Sequence, residues 1–226
     1  MNRAQYNKLE DFMLRCMEDS AHDREHVYRV LYTALMIAEG EETVDWDVLV
    51  CACLLHDIGR KEQFADPTVC HARAGGEKAY RFLLDNGYGE ALAQRVKDCI
   101  ITHRFRADNQ PETLEAKILF DADKLDAAGA MGVARTLMYN GREGEPLYSL
   151  LPNGQISDGT GDAEPSFFHE YKYKLEKLYG RFYTKRGAEL AVQRQKAAVN
   201  FYRAMLGEAS ASRTAGMNML NVLLAQ

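Results

Sequence analysis

Two histidines one helical turn apart are the first residues in the chain that could do chemistry. His22 and His26 stand at positions i and i+4, and Arg29 follows three residues later, so a helix would place all three side chains on one face. Alone, such a pair is more often a surface or core feature than a set of metal ligands. A metal site here requires further ligands that converge on the same face.

A His-Asp pair could supply such further ligands. His56 and Asp57 close an apolar run that starts at Val48, and Gly59 follows as a helix terminator. Neighbouring side chains on a helix diverge by about 100°, so both can reach one ion only where the helix ends. Because burying a carboxylate is costly unless it is paired or binds a metal, the apolar surroundings favour a ligand role.

An acidic cluster inside an otherwise apolar helix is the third element. Asp121, Asp123, Lys124 and Asp126 interrupt a run of Leu, Phe, Ile and Ala residues. A solvated helix face is the alternative explanation, but the apolar neighbours leave little room for it. Asp121 and Asp123 also point to different sides of such a helix. A buried polar site explains this pattern better.

The candidate ligand set combines two imidazoles with two carboxylates. Its members are His26, His56, Asp57 and Asp123. Such a set suits Mn²⁺, Fe²⁺, Co²⁺, Ni²⁺ or Mg²⁺ with open positions for water better than it suits a closed tetrahedral zinc site. We expect one divalent ion from this group as the cofactor.

The order of these ligands along the chain resembles the signature of the HD-domain phosphohydrolase superfamily. That family has an all-α fold, a helical bundle that binds a divalent metal between its helices. The longer runs His26–Val30, His56–Ile58 and Asp121–Arg135 look like its small single-domain bacterial branch, and the resemblance covers about residues 20–207. It implies hydrolysis of a phosphate ester or anhydride, which in some relatives releases pyrophosphate from nucleoside triphosphates.

The resemblance also implies roles for residues around the ligands. Asp57 would act at the metal in catalysis, and Lys124 would contact the substrate phosphate or act in catalysis, with an internal ion pair as the alternative. Arg29 is a further candidate for a phosphate contact, although it could be a surface charge. Arg60, Lys61 and Glu62 are candidate phosphate or base residues, although solvated loop charges explain this run better. His22 and Asp126 would orient the ligands from outside.

Two further histidines allow a second metal. His71 and His103 lie between Asp57 and Asp123 in the chain, as the extra ligands of two-metal HD enzymes do. If both residues converge on the site, two metal ions could bind the attacking and leaving oxygens of a displacement reaction. In the mononuclear alternative, which we favour, His103 would contact phosphate or transfer a proton.

Helical spacing of the apolar residues predicts the elements that must carry these side chains. The chain reads as all-α, because no alternating run bounded by turn residues is present. The predicted helices cover residues 4–18, about 21–39 with Ser20 as its cap, 46–58 with Asp45 as its cap, 72–86, 90–103, 116–128 with a helical continuation over 133–139, 167–179 and 183–208. Small residues between Ala127 and Ala134 predict a close approach to a neighbouring segment.

Two segments fall outside this helical pattern. Residues 140–165 have loop composition over a length that is uncommon in compact domains, which favours a lid or substrate loop, with a disordered insertion as the alternative. Residues 209–226 contain a small-polar hinge and an apolar end that predict a docking helix or a homodimer contact. We expect residues 1–208 to form one HD-type domain.

Composition limits the function classes. The chain has 226 residues, of which 46% are hydrophobic and 27% charged, as in an ordinary globular protein. A net charge of -5 without a basic block argues against binding to duplex nucleic acid, and no apolar run reaches the length of a membrane span. Five cysteines without CxxC spacing suit a reducing cytoplasm.

Three functions remain for this sequence. The first is a metal-dependent phosphohydrolase that acts on a small phosphate compound, a nucleotide above all, through a metal-activated water. The second is a two-metal phosphodiesterase or dinucleoside polyphosphate hydrolase. The third is a non-catalytic, metal-stabilised sensor or interaction module, which the apolar tail and the long loop would serve.

Overall fold

The chain folds as an all-α protein, as the sequence predicts. A computed structural model describes residues 1–17, 24–104 and 109–225. The helices are α1 (Arg3–Met17), α2 (Arg24–Ala38), α3 (Trp46–Leu55), α4 (Arg60–Ala65), α5 (His71–Asp85), α6 (Glu90–Thr102), α7 (Leu114–Asp126), α8 (Gly129–Glu143), α9 (Phe167–Tyr173) and α10 (Lys185–Leu224), with a 3₁₀ helix at Leu175–Gly180. The described ranges contain no strand, only an isolated bridge between Leu150 and Ile156.

The start of α3 confirms a predicted cap. The Asp45 carboxylate accepts hydrogen bonds from the backbone N–H groups of Asp47 and Val48, both at 3.2 Å. The cap predicted at Ser20 lies outside the described residues. At its other end α3 stops at Leu55, earlier than the predicted Ile58, and α4 follows where the sequence predicts only loop residues.

The segment of small residues separates two helices. The sequence predicts one helix to Ala128, whereas α7 ends at Asp126, Ala128 is extended and α8 begins at Gly129 with a φ of 67°. A Cβ on Gly129 would lie 2.8 Å from the Arg194 Cβ and 3.0 Å from the Arg194 carbonyl oxygen, both on α10. The predicted close approach to a neighbouring segment is therefore confirmed.

The long loop between α8 and α9 packs against residues of α9 and α10. Ser157 is buried, and the Tyr202 hydroxyl donates to the Asp158 carbonyl oxygen at 2.6 Å. A Cβ on Gly159 would lie 2.2 Å from the Phe168 carbonyl oxygen, so the backbones touch there. These contacts contradict the disordered-insertion alternative, and the lid or substrate loop stays a prediction.

The C-terminal tail continues α10 without a break. The hinge expected after residue 208 is absent, because α10 runs from Lys185 to Leu224. Its apolar end is exposed, with Met219 at 62% and Leu224 at 76% exposure. A docking or dimer role for this end stays a prediction. Among the described residues, no helix combines the length and the apolarity that crossing a bilayer requires.

The chain forms two compact units. The first comprises Met1–Asp126 with Phe182–Ala188, and the second comprises Ala127–Arg181 with Glu189–Gln226. In the first, α2 packs on α3 and α7, α5 packs on α6, and α3 is buried along nearly its whole length. The second has a core of aromatic and aliphatic residues: Val133, Ile156, Phe167, Phe168, Tyr171, Leu175, Ala198 and Tyr202. A single domain over residues 1–208 stays a prediction.

Candidate metal centre

The turn after α3 carries the His-Asp pair into the interior of the first unit. α3 contains no charged residue beyond its first turn, and its apolar residues from Cys51 to Leu55 are all buried. It ends at Leu55, so His56 and Asp57 follow in a turn, both with at most 1% exposure. The helix end thus brings two neighbouring side chains to one place, as the sequence predicts.

Gly59 allows this turn to touch α5. A Cβ at Gly59 would lie 2.2 Å from the His71 carbonyl oxygen and 2.5 Å from the Gly75 backbone nitrogen. These distances leave no room for a side chain, so only glycine permits the contact. The close approach brings the first residue of α5, His71, beside Asp57.

One ligand group joins α2, the turn after α3, and α7. His26, His56 and Asp123 each present one ligand atom within 4.8 Å of the others. The His26 Nε2 atom lies 3.3 Å from His56 Nε2 and 3.2 Å from Asp123 Oδ1. Asp57 Oδ2 completes the predicted set at 3.6 Å from His26 Nε2 and 3.7 Å from His56 Nε2.

A second ligand group lies on the other side of Asp57. It consists of Asp57, His71 and His103, all buried. Asp57 Oδ1 is 3.5 Å from His71 Nε2 and 3.7 Å from His103 Nε2, and the two Nε2 atoms are 3.3 Å apart. The two oxygens of one carboxylate therefore face two different ligand groups.

The four histidines share one tautomer. Each Nδ1 faces an oxygen acceptor: Asp126 Oδ2 at 2.7 Å for His26, the Cys53 carbonyl at 2.8 Å for His56, Gln63 Oε1 at 2.7 Å for His71 and the Ile100 carbonyl at 2.6 Å for His103. Because these oxygens accept, each Nδ1 carries a hydrogen and donates. A neutral imidazole then directs its Nε2 lone pair into the centre.

The residues fit a divalent cation. Nε2 lone pairs that face each other at 3.3 Å repel unless a proton or a cation lies between them. Asp57 Oδ2 is also buried and accepts no hydrogen bond from any described residue. An unsatisfied buried carboxylate oxygen is costly, and a metal ion satisfies it together with the histidine lone pairs.

The pKa values of His26 and Asp57 also show that the site favours positive charge. Burial would lower the pKa of His26, but its hydrogen bonds with Asp123 and Asp126 outweigh burial and raise the pKa to about 9. Burial would raise the pKa of Asp57, yet the neighbouring His56 and Arg60 hold it well below its usual value. The carboxylates thus stay charged and attract a cation.

The environments of His71 and His103 keep both imidazoles neutral. Burial, followed by the positive charge of Arg60, lowers the pKa of His71 to about 2. Burial, followed by the charge of His56, lowers the pKa of His103 to about 4. Neutral imidazole is the form that binds metals or accepts protons.

Asp126 supports His26 from behind. Its Oδ2 accepts the His26 Nδ1 hydrogen, and its two oxygens also accept hydrogen bonds from Arg29 Nε at 2.7 Å and Nη2 at 3.1 Å. The Arg29 guanidinium therefore positions Asp126, and the phosphate contact that the sequence suggests for Arg29 stays a prediction.

The three remaining predicted site residues are Lys124, Lys61 and His22. Lys124 Nζ sits 4.1 Å from the centroid of the Phe120 ring, a cation–π arrangement. Lys61 is exposed on α4, and His22 lies outside the described residues. Roles in phosphate binding for Lys61 and Lys124 stay predictions.

Sequence reasoning missed two supporting residues on α4. Arg60 Nε donates to Asp57 Oδ1 at 2.9 Å, and Gln63 fixes the His71 ring. The spacing of Arg60, three residues after Asp57, is a signal that could have suggested the ion pair. Gln63 had no such signal, because α4 itself was not predicted.

Comparisons with known proteins define the class to which this centre belongs. The HD-domain family model matches residues 24–128. The uncharacterized protein YpgQ of Bacillus subtilis is 33% identical over 190 residues, which cover 82% of this chain and 83% of that protein. The chain belongs to the HD-domain phosphohydrolase superfamily, and it is a metal-dependent phosphohydrolase.

Solved structures of similar proteins share the fold. Bacillus subtilis YpgQ in complex with ADP matches with a TM-score of 0.69 and 27% identity over 91% of this chain and 95% of that chain. An HD-superfamily hydrolase from Bacillus thuringiensis matches with a TM-score of 0.69 and 28% identity over 91% of this chain and 97% of that chain. The similarity thus extends well beyond the HD-domain segment.

Proposed function

We propose that the chain hydrolyses a phosphoanhydride or phosphate ester of a nucleotide at one divalent ion. His26, His56, Asp57 and Asp123 would hold that ion. The observation that carries the proposal is the shared tautomer of the histidines, because it directs Nε2 lone pairs at an unsatisfied buried carboxylate oxygen. A divalent ion there supplies an acidified water and neutralises phosphoryl charge.

The chain's own residues would then position the metal ion and the substrate and transfer protons. Asp57 and Asp123 provide the negative charge that retains the cation, and Asp126 keeps His26 in its ligand tautomer. His103 lies beside Asp57, where it would contact phosphate or transfer a proton. Lys61 and Lys124 are the proposed cations for substrate phosphate.

A nucleotide is the proposed substrate class. Support comes from YpgQ, whose solved structure contains ADP. The metal would be Mn²⁺, Fe²⁺, Co²⁺, Ni²⁺ or Mg²⁺, since a mixed imidazole and carboxylate set suits these ions, and Mn²⁺ is the first to test. Cytoplasmic location and a homodimer remain proposals from the sequence.

The test is hydrolysis of a panel of nucleoside mono-, di- and triphosphates with Mn²⁺, Co²⁺ or Ni²⁺. Free phosphate and pyrophosphate are measured separately, since their ratio identifies the bond that is cleaved. We expect turnover by the wild type and its loss in His56→Ala. His169→Ala is the matched control, because His169 stacks on Tyr173 in the second unit. A folded, metal-loaded wild type that releases neither product contradicts the proposal.

The second ligand group supports an alternative. Asp57 Oδ1, His71 and His103 could hold a second ion, and two ions would suit a phosphodiesterase or a dinucleoside polyphosphate hydrolase. Two tightly bound equivalents of metal in the wild type, with the second lost in His103→Ala, would favour this alternative. The non-catalytic module has no comparable support, because the described ligand groups are complete.

A further inference from the structure

The second ligand group contains a fixed positive charge of its own. Arg60 is the first residue of α4, and its Nε donates to Asp57 Oδ1 at 2.9 Å. We propose that Arg60 is an internal cation that occupies the place of a second metal in the charge balance and limits the centre to one ion. This inference rests on the proposed function, since it concerns the same centre.

The hydrogen bond of Arg60 uses the oxygen that a second ion would need. Asp57 Oδ1 is the atom that faces His71 Nε2 at 3.5 Å and His103 Nε2 at 3.7 Å. Asp57 Oδ2, by contrast, faces His26 and His56 and accepts no hydrogen bond from any described residue. One oxygen of Asp57 is therefore already engaged, and the other is available to a metal.

The position of Arg60 is fixed by local structure. It stands three residues after Asp57, and the turn between them is held against α5 at Gly59. The Arg60 side chain is 22% exposed and that of Asp57 is fully buried, so water screens the pair only in part. A guanidinium also keeps its charge at every ordinary pH.

The formal charges of the two groups differ. Two neutral imidazoles with Asp57 and Asp123 give the first group a charge of -2, since each carboxylate contributes -1. In the second group the same Asp57 is the only carboxylate, so its ligands carry -1, and the +1 of Arg60 lies on this side of Asp57, beside Oδ1. A divalent ion is therefore attracted more strongly to the first group, whereas at the second it meets one carboxylate fewer and a nearby cation.

The experiment counts bound metal rather than product. Apo-protein is dialysed against micromolar Mn²⁺, and protein-bound manganese is measured by atomic emission. Electron paramagnetic resonance then distinguishes an isolated Mn²⁺ from a spin-coupled pair. The variants are Arg60→Gln, which removes the charge, Arg60→Lys, which keeps it, and Arg73→Gln, which removes an exposed charge on α5 two residues after His71 in the sequence.

We expect one equivalent of Mn²⁺ in the wild type, Arg60→Lys and Arg73→Gln, and two equivalents with a coupled signal in Arg60→Gln. The second equivalent should disappear when His103→Ala is added to Arg60→Gln. If Arg60→Gln does not fold, Arg60→Met, which keeps the aliphatic stem, takes its place.

Three results overturn the inference. They are a wild type that already binds two equivalents, a folded Arg60→Gln that still binds one, and an Arg73→Gln that gains the second ion as well. A wild type that binds no divalent ion contradicts the proposed function itself, and so the two failures can be told apart.

Discussion

Asp126 shows how one residue outside the ligand set can tune a ligand. Its carboxylate lies between the His26 ring, which it holds through Nδ1, and the Arg29 guanidinium, which donates to both of its oxygens. Such carboxylate–histidine pairs orient the ring and raise the basicity of the metal-binding nitrogen. Arg29 in turn fixes the carboxylate, so that a single ring is positioned by two successive contacts.

Replacing Asp126 should therefore weaken metal binding more than substrate binding. We expect Asp126→Asn to lower the affinity for Mn²⁺ by roughly 10- to 100-fold, with little change in KM at saturating metal. Isothermal titration of apo-protein with Mn²⁺ measures the affinity, and Asp85→Asn, at an exposed position on α5, is the control. Equal affinities in the wild type and Asp126→Asn would show that Asp126 does not support His26.

Much of the residue-level pattern could be predicted from the sequence. His56 and Asp57 were recognisable because an apolar helix that ends in two ionisable residues must satisfy them inside the protein. The pairing of Arg29 with Asp126 was not, because it joins residues 97 positions apart, and helical spacing reports only on neighbours along one element.

The centre depends on how elements end. α3 stops before His56, Gly59 brings the next turn onto α5, and α5 begins at the candidate ligand His71. The end of α3 was predictable to within three residues, whereas α4 was not, because a run of charged residues between two turns has no clear helical pattern. Helix ends rather than helix faces thus supply several of the candidate ligands.

Substitution of Gly59 should disturb both the fold and the metal site. In Gly59→Ala the new Cβ would clash with the His71 carbonyl and the Gly75 nitrogen, so α5 must shift. We expect a loss of about 1–3 kcal/mol in the free energy of unfolding and weaker Mn²⁺ binding, measured by urea denaturation and metal titration. Gly89→Ala, where no atom lies within 4 Å of the new Cβ, should change the stability by less than about 0.5 kcal/mol.

Two aspartates on α7 separate a structural role from a ligand role. Asp121 accepts hydrogen bonds from the Tyr183 and Thr184 backbone N–H groups and from the Thr184 hydroxyl, just before α10 begins. Asp123 instead faces His26. The sequence already placed these two side chains on different sides of the helix, although it did not identify the partners of Asp121.

The two corresponding variants should therefore fail in different ways. Asp121→Asn should lower the free energy of unfolding by about 1–3 kcal/mol, because a buried acceptor of several hydrogen bonds is lost, and it should keep its Mn²⁺ affinity. Asp123→Asn should lose Mn²⁺ binding. Chemical denaturation and metal titration of both variants give the comparison, and loss of metal affinity in Asp121→Asn would contradict this division.

At the scale of the whole molecule, the metal would link segments that are distant along the chain. The candidate ligands come from α2, from the turn after α3 and from α7, all within the first compact unit. The sequence predicted this convergence, but it did not predict the division into two units or the continuous α10. Those features depend on contacts between distant segments, which local periodicity does not report.

Removing the metal should thus destabilise the fold. An ion that binds only the native state adds about 4 kcal/mol at a free concentration a thousand times its dissociation constant, which corresponds to a shift of roughly 10 °C in Tm for a chain of this size. Differential scanning calorimetry with Mn²⁺ and with a chelator measures the shift. The Tm of His26→Ala should not depend on the metal. A wild-type Tm that changes neither with Mn²⁺ nor with the chelator would exclude a structural contribution from the ion.

Because the two oxygens of Asp57 face different ligand groups, their affinities for cations cannot change independently. An ion at Oδ2 withdraws electron density from Oδ1, so occupancy on one side lowers the affinity on the other. By thermodynamic reciprocity the effect has the same size in both directions. Any change that strengthens the binding of one cation at Asp57, whether Arg60 or a metal ion, would therefore weaken the binding of the other.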